Sequence, residues 1–474
     1  MLHHTMAADR VSFRLNGAMT TLAANLPATT TLLHWLRGPG GLCGTKEGCA
    51  EGDCGACTVV LEEPGGGRTP INACLVAVGQ LHGASLRTVE GLRAANGSVH
   101  PVQRALAEAN ATQCGFCTPG FVMAAWAYAR EGGDMHEALA GNLCRCTGYR
   151  PIVDALASLG NDDETPPALP DPGPACFIAD GCTFHRPTGL AELLALRQAH
   201  PQAWLLAGGT DLGLALAEGG AGPREVIGLL GVPELRQIAT PPDGLRVGAA
   251  ASYARLMRAV QDAPELNLRG VLPLLARLGS RQIRGLGTLG GNLATASPIG
   301  DALPPLIALG ATVRLRSGAG ARELPVEAFL RGYRSHALGP DEVIESVFLP
   351  CVPGGALFVC EKLSKRHDQD IATVSAAFLV QTVEGRVQRA VLAFGGMGPI
   401  AARAPRAEAA LIGAEWSPAT LEHAAAALAD DFAPLSDWRG SAEYRRHAAA
   451  GLLRRLWWRS TGSAAAEVQA LEPV

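Results

Sequence analysis

Lys46-Glu47-Gly48-Cys49-Ala50-Glu51-Gly52-Asp53-Cys54-Gly55-Ala56-Cys57 sets three cysteines at the spacing C-x4-C-x2-C, and Cys74 follows as a fourth. Plant-type [2Fe-2S] clusters are ligated at this spacing. Four thiolates on two irons carry negative charge that backbone N–H groups must offset. Gly48, Gly52 and Gly55 let the chain curl closely enough to turn those groups inward. Zinc also accepts four cysteines, although its sites usually offer two separated C-x2-C pairs. Cys43 lies just outside the pattern and is expected to be a spare buried thiol.

Strand-like runs at residues 11–14 and 58–62 flank this loop and predict a small β-rich unit over residues 9–92. Apolar spacing then becomes helical at 102–109, 121–130, 135–140 and 151–159, which predicts a helical unit over 93–160. That unit carries a second group, Cys114-Gly-Phe-Cys117 and Cys144-Arg-Cys146. Two cysteine pairs can again supply four ligands to iron or to zinc. A thioredoxin-like use of Cys114 and Cys117 lacks the βαβ pattern it requires.

Residues 161–174 hold five prolines and four acids, so 161–176 is read as a linker. Beyond it, a helix at 189–200 and strands at 204–206, 244–249 and 311–316 predict an α/β unit over 177–353. Strand-like runs at 374–380 and 387–394, then an alanine-rich helix at 421–429, predict an α+β lobe over 354–465. The expected fold class is therefore multidomain α+β, with no repeat of fixed period.

At 474 residues, with 48% apolar and 18% charged residues, the chain has the composition of a globular protein with several cores. It shows no apolar run of membrane-spanning length and no leader sequence, so a cytoplasmic setting without membrane contact is expected. The net charge of −4, well mixed along the chain, gives no footprint for nucleic acid. A reducing compartment does not support a disulfide framework of thirteen cysteines, and nine of them precede residue 150, which favours metal ligation.

Two glycine-rich segments lie in the α/β unit. Gly285-x-Gly287-x-x-Gly290 meets the pattern G-x-G-x-x-G, but a Rossmann site needs a strand before it, a helix opening directly after it and an acid about twenty residues on. Pro298, Pro304 and Pro305 interrupt the segment after the pattern, and Asp301 comes too early. Instead, Ala207-Gly208-Gly209-Thr210-Asp211 and Thr288-Leu289-Gly290-Gly291-Asn292 read as two tight turns. Such turns are either ordinary ones or a cradle whose N–H groups approach a pyrophosphate.

The stretch from Lys46 to Cys57, with Asn72-Ala73-Cys74-Leu75, Gln113-Cys114-Gly115-Phe116-Cys117-Thr118-Pro119-Gly120 and Gly141-Asn142-Leu143-Cys144-Arg145-Cys146-Thr147-Gly148-Tyr149-Arg150-Pro151, closely resembles the iron–sulfur segments of the molybdenum hydroxylases. Among these it is most similar to the small subunit of bacterial xanthine dehydrogenases. The resemblance implies two [2Fe-2S] clusters, one on Cys49, Cys54, Cys57 and Cys74 and the other on Cys114, Cys117, Cys144 and Cys146. The ferredoxin-like cluster would lie nearer a flavin, and the helical-domain cluster nearer molybdenum.

The glycine segments in turn resemble the FAD-binding loops of that family, whose flavin domain is of the vanillyl-alcohol-oxidase type. By motif, Leu206, Ala207, Gly208, Gly209, Thr210, Asp211, Leu212, Thr288, Leu289, Gly290, Gly291, Asn292 and Asp301 would surround FAD. Val343-Ile344-Glu345 is similar to the segment whose backbone touches the flavin ring, here at Ile344. The run from Lys362 to Ala372 is similar to the one carrying a flavin-contacting lysine, here Lys362. Where the family has an aromatic residue before the second loop, this chain has Leu278, which offers no stacking ring.

The resemblance implies a β-grasp ferredoxin-like domain, a helical-bundle [2Fe-2S] domain, an FAD domain and a C-terminal flavoprotein lobe. With no segment for molybdopterin before Val474, purine hydroxylation is expected on a molybdopterin-binding large subunit and no catalytic residue on this chain. Electrons would pass through both clusters to FAD and on to NAD+, in a dimer of heterodimers. The alternatives are a molybdenum hydroxylase acting on an aldehyde or another N-heterocycle, and a zinc-stabilised assembly subunit without a redox role.

Overall fold

The computed structural model describes residues 8–93, 96–157, 159–160, 162, 168–219 and 222–462. Residues 161 and 163–167 of the expected linker fall outside these, as do 1–7 and 463–465, and residues 168–174 hold no helix or strand.

The N-terminal unit contains β1 (Ser12–Leu15), β2 (Ala18–Thr21), α1 (Leu32–Arg37), β3 (Thr58–Glu62), β4 (Arg68–Asn72) and β5 (Ser85–Arg87), with strand order β2-β1-β5-β3-β4. Strands β1 and β5 run parallel and every other neighbouring pair antiparallel, which is a β-grasp arrangement. Alternation in β1 sends Phe13 and Leu15 inward, where Phe13 meets Trp35 of α1 edge-on at 5.6 Å between centroids.

The helical unit consists of α2 (Pro101–Glu108), α3 (Thr118–Glu131), α4 (Met135–Leu139) and α5 (Arg150–Leu156). Helix α3 is buried almost all round, from Phe121 to Ala127, because it is central to the unit and packs on β3 and β4 as well as on its sister helices. The helix expected over 151–159 ends at Leu156.

Next come β6 (Ala175–Ala179), β7 (Cys182–Arg186), α6 (Leu190–Ala199), β8 (Trp204–Leu206), α7 (Leu212–Ala217) and β9 (Glu225–Gly228). The sheet order is β6-β7-β9-β8, with β7, β9 and β8 parallel. The chain continues through β10 (Ile238–Ala239), β11 (Gly244–Gly248), α8 (Tyr253–Asp262), α9 (Leu272–Ala276), α10 (Arg281–Leu286), α11 (Leu289–Thr295) and α12 (Leu303–Leu309). It then forms β12 (Thr312–Ser317), β13 (Gly320–Pro325), α13 (Val326–Phe329), β14 (Leu330–Gly332), β15 (Ser335–His336) and β16 (Val343–Pro350). Here β10-β11-β16-β12-β13 make an antiparallel sheet.

The last unit has β17 (Leu357–Leu363), β18 (Val374–Val383), β19 (Arg386–Gly395), β20 (Ala402–Arg403), α14 (Pro405–Leu411), α15 (Pro418–Asp431) and α16 (Ala442–Ser460). Both faces of its sheet are covered. Ala376, Phe378 and Val380 of β18 pack into a core with α14–α16, while Ala377 and Leu379 join the core that contains α12. A strand buried on both faces reads as a continuous apolar run, as residues 374–380 do. Among the described residues no helix is long and apolar enough to cross a membrane.

Candidate functional site

Strand β8 ends at Leu206, and the turn after it faces the start of α11 across a cavity of about 560 Å3. Ala207, Gly208, Gly209, Thr210, Asp211, Leu212, Leu278, Thr288, Gly290, Gly291, Asn292, Asp301, Ile344 and Lys362 all line it. Leu206 and Leu289, expected with them, are instead fully buried in hydrophobic cores and hold the loops from behind. In the segment 343–345, Glu345 sits at a register shift between β12 and β16 and pairs with Arg314 and Arg316, leaving Val343 and Ile344 to the cavity.

Residues 288–292 do not form a tight turn. They open α11, with Thr288 as N-cap accepting from the Gly291 N–H at 3.0 Å, a cap worth about 1 kcal/mol. A helix thus follows the G-x-G-x-x-G pattern directly, contrary to the expectation drawn from the prolines. The element before it is helix α10 and not a strand, so the Rossmann reading still fails. Glycine at 290 has a packing reason in α11, because a Cβ there would meet the Ala249 carbonyl oxygen at 2.5 Å.

Lys362, on β17, is buried and not solvated. Its Nζ lies 2.6 Å from Asp301 Oδ2 and donates to the Arg277 carbonyl at 2.8 Å. Burial pushes the Asp301 carboxyl up, against the pull of Lys362. Three buried polar atoms on the cavity wall, Tyr253 OH, Asn292 Oδ1 and Asp301 Oδ1, have no protein partner. Buried polar groups are ordinarily bonded, so these fit a ligand rich in hydroxyl and N–H groups, as FAD is.

Sequence reasoning missed several wall residues. Glu51, Gly52 and Asp53 come from the first cysteine loop, Tyr253 from α8, and Gln369, Asp370 and Ile371 from the segment after β17. Only the cavity unites them. A signal for the last three lay in the Lys362 segment, which runs on through residue 371.

The cysteines stand in pairs. Cys57 and Cys74 sulfurs are 3.4 Å apart, Cys114 and Cys146 sulfurs 3.5 Å, and Cys49 with Cys54 and Cys117 with Cys144 are hydrogen-bonded neighbours. Four thiolates on one zinc would all stand about 3.8 Å apart, given Zn–S bonds of about 2.3 Å. Among the described residues, no three of these sulfurs lie within 4.8 Å of one another. Two thiols per iron on a two-iron cluster fit this spacing, and a single zinc does not.

The Cys49 thiol is pulled down to about 4 by its hydrogen bond with Cys54 and by the N–H groups of Glu51, Cys54 and Asp53, while burial opposes them. Those N–H groups lie 3.3–3.4 Å from its sulfur. A Cβ on Gly48 would come within 2.7 Å of Cys54 Sγ, so the loop leaves its free volume beside the sulfurs. Cys43, expected to be buried, is exposed, because its turn is tied through its carbonyl oxygen to Arg37 and Lys46 and its side chain is left outside.

The two cysteine loops touch through a buried junction. Asn142 Nδ2 donates to the Gly55 carbonyl at 2.9 Å, and Gln282 Nε2, from α10, donates to Asn142 Oδ1 at 3.0 Å and Thr58 Oγ1 at 3.1 Å. Cys114 and Cys146 are exposed, as are Phe116, Leu143 and Tyr149, and Leu143 N–H donates to the Cys54 carbonyl at 2.9 Å.

Residues 88–157 match a [2Fe-2S] binding domain, 180–352 the FAD binding domain in molybdopterin dehydrogenase, and 360–460 the CO dehydrogenase flavoprotein C-terminal domain. The chain is 35% identical to xanthine dehydrogenase of Emericella nidulans over 95% of its own length and 38% of that protein. It is 32% identical to aldehyde oxidase 2 of Cavia porcellus over 96% of itself and 40% of that protein. It thus spans about two fifths of these relatives. Among solved structures, reconstituted CO dehydrogenase from Oligotropha carboxidovorans matches with TM-score 0.55 and 28% identity over 59% of this chain and 98% of that one. Quinoline 2-oxidoreductase from Pseudomonas putida 86 matches with TM-score 0.54 and 28% identity over 60% of this chain and 97% of that one.

Proposed function

Because the chain belongs to the molybdenum hydroxylase family through its iron–sulfur and flavin domains, we propose that it is the electron-transfer and FAD subunit of a xanthine dehydrogenase whose molybdopterin sits on a partner subunit. Two [2Fe-2S] clusters and FAD, when bound, would supply the redox chemistry that links hypoxanthine or xanthine oxidation on that partner to reduction of NAD+. The observation that carries this reading is a shared wall: Glu51, Gly52 and Asp53, within the loop from Cys49 to Cys54, line the same cavity as the two glycine segments.

Cys49, Cys54, Cys57 and Cys74 would hold the cluster next to the cavity, and Cys114, Cys117, Cys144 and Cys146 the one at the surface. In the cavity, the turn at 207–212 and the start of α11 offer close backbone approach. Asp301, held by Lys362, presents one unpaired carboxylate oxygen to a hydroxyl or N–H group. Phe116, Leu143 and Tyr149, exposed like Cys114 and Cys146, form the face assigned to the molybdenum partner. A dimer of heterodimers and a cytoplasmic setting belong to the same reading.

The test is co-expression with an adjacent genomic open reading frame, affinity purification and assay of xanthine-dependent NAD+ reduction. A complex that oxidises an aldehyde or quinoline but not xanthine overturns the purine assignment, and anaerobic protein without iron overturns the redox role. Replacing Cys144 by Ser should alter one reduced-cluster EPR signal and spare the other. Loss of the plant-type signal alone would show the cysteines to be wrongly grouped.

A further inference from the structure

Away from the cavity, three side chains meet where β7, β9 and the end of α6 come together. His185 Nε2 lies 2.8 Å from Glu225 Oε2, and His200 Nδ1 lies 3.7 Å from the same oxygen. One ligand atom from each residue falls within 4.8 Å of the other two. The imidazole rings lie side by side, their centroids 4.9 Å apart and their planes tilted by 33°.

Strand register explains the convergence. Thr183 pairs with Glu225 across the parallel strands β7 and β9, so His185, two residues on, shares a face with Glu225. Helix α6 packs against that face through Leu193 and Ile227, and its C-cap is His200. On the other side of β7, Cys176 pairs with His185 and sets its Sγ 3.8 Å from His185 Nδ1.

A hydrogen-bonded His–Glu pair accounts for His185 alone. It leaves a second imidazole against the same carboxylate oxygen at a distance too long for a hydrogen bond. Tetrahedral zinc, with bonds of about 2.0–2.2 Å to nitrogen and oxygen, separates its ligand atoms by about 3.4 Å. The observed 2.8 and 3.7 Å lie on either side of that value.

The geometry points to a divalent transition-metal site, best suited to zinc, held by His185 Nε2, His200 Nδ1 and the Glu225 carboxylate. Imidazole and carboxylate together select zinc over calcium or magnesium. Cys176 Sγ gives the other ring nitrogen of His185 a weak polar partner, at the place where ligating histidines ordinarily have one. The three side chains are partly exposed, which leaves room for a water as fourth ligand. The ion would tie α6 to β7 and β9 at the start of β8, the strand whose far end carries the cavity turn.

The test uses holoprotein in a Cys43→Ser background, which removes an exposed thiol as competitor. The protein is freed of loosely held metal with a chelator, checked for unchanged iron and flavin, and titrated with zinc chloride by equilibrium dialysis with metal analysis. The expected result is one zinc bound per chain, at least tenfold more weakly in His200→Ala and in Glu225→Gln. Zinc should also raise the melting temperature of the unmutated site in a saturable way. Absence of saturable binding, of the zinc-dependent melting shift, or of any difference between the parent and a folded His200→Ala or Glu225→Gln protein, overturns the proposal.

Discussion

Lys362 Nζ sits 2.6 Å from Asp301 Oδ2 with both side chains buried, so a charge pair is sealed into the wall of the cavity. Breaking such a pair by removing one partner typically costs about 3–5 kcal/mol, because the remaining charge is buried alone. The two removals are not equivalent here. In Lys362→Met, Asp301 can take up a proton, since burial already pushes its carboxyl up. In Asp301→Asn, the ammonium keeps the Arg277 carbonyl and an amide oxygen as acceptors but loses the carboxylate charge that balances it. Asp301→Asn should therefore lower the melting temperature and the bound flavin more than Lys362→Met. The double variant should lose less than the sum of both, measured by thermal unfolding and flavin absorbance.

His82 provides a pH test away from any metal ligand. Its Nδ1 accepts the Ser12 N–H at 3.0 Å, its ring meets Phe177 edge-on, and burial, followed by the Arg186 charge, lowers it from 6.5 to about 4. With a depressed folded value, the unfolded chain binds the proton first as pH falls. The contribution is thus complete above about 6.5 and is lost progressively toward about 4. His82→Asn, which keeps an acceptor for Ser12, should flatten the decline in melting temperature between about pH 7 and about pH 5. An unchanged slope in the variant would show that His82 does not carry this dependence.

The gathering of Cys49 and Cys54 was legible because their spacing lies within one short loop, so residues 49–57 state it almost alone. The strands and helices named from the sequence lie within a few residues of observed ones for the same local reason, whereas others, such as α1, β4, β9 and α8, were not named. Reading the start of α11 as a turn failed because glycine pairs ordinarily argue against helix, and the approach of Ala249, which explains Gly290, comes from a distant strand end. Tyr253, the Glu51–Asp53 wall and the Gln282 junction could not be read at all. Each is made by elements far apart in sequence, and nothing in the local pattern distinguishes those residues from others. The exposure of Cys43 was missed because cysteine is usually buried.

Two glycines of the cavity should respond differently to alanine. A Cβ on Gly208 would stand 1.7 Å from the Leu286 carbonyl oxygen, so Gly208→Ala must push β8 and α10 apart and should lower stability by about 1–3 kcal/mol or more. A Cβ on Gly291 would meet only Thr288 Oγ1, at 2.9 Å, within helix α11. Alanine favours a helix by about 1 kcal/mol over glycine, which offsets the shift the Thr288 cap must make, so Gly291→Ala should keep the melting temperature of flavin-free protein while reducing flavin retention. Full flavin occupancy of Gly291→Ala after gel filtration would place the flavin's approach elsewhere in the cavity.

Gln282 joins three units at one point. Its amide donates to Thr58, beside the first cysteine loop, and to Asn142, in the second, while its backbone belongs to α10 of the flavin unit. Gln282→Leu would leave Asn142 Oδ1 buried without a donor, at a cost of about 1–3 kcal/mol, offset in part because Gln282 Oε1 itself has no partner. The thiols are untouched, so iron content should stay at the parent level. Since Asn142 Nδ2 still bonds the Gly55 carbonyl, the loss is a loosening of both loops and not the rupture of one. Both reduced-cluster EPR signals should therefore shift together in Gln282→Leu, in contrast to the single signal affected by Cys144→Ser. A change confined to one signal would mean that the junction serves one loop only, and that contact between the loops is independent of α10.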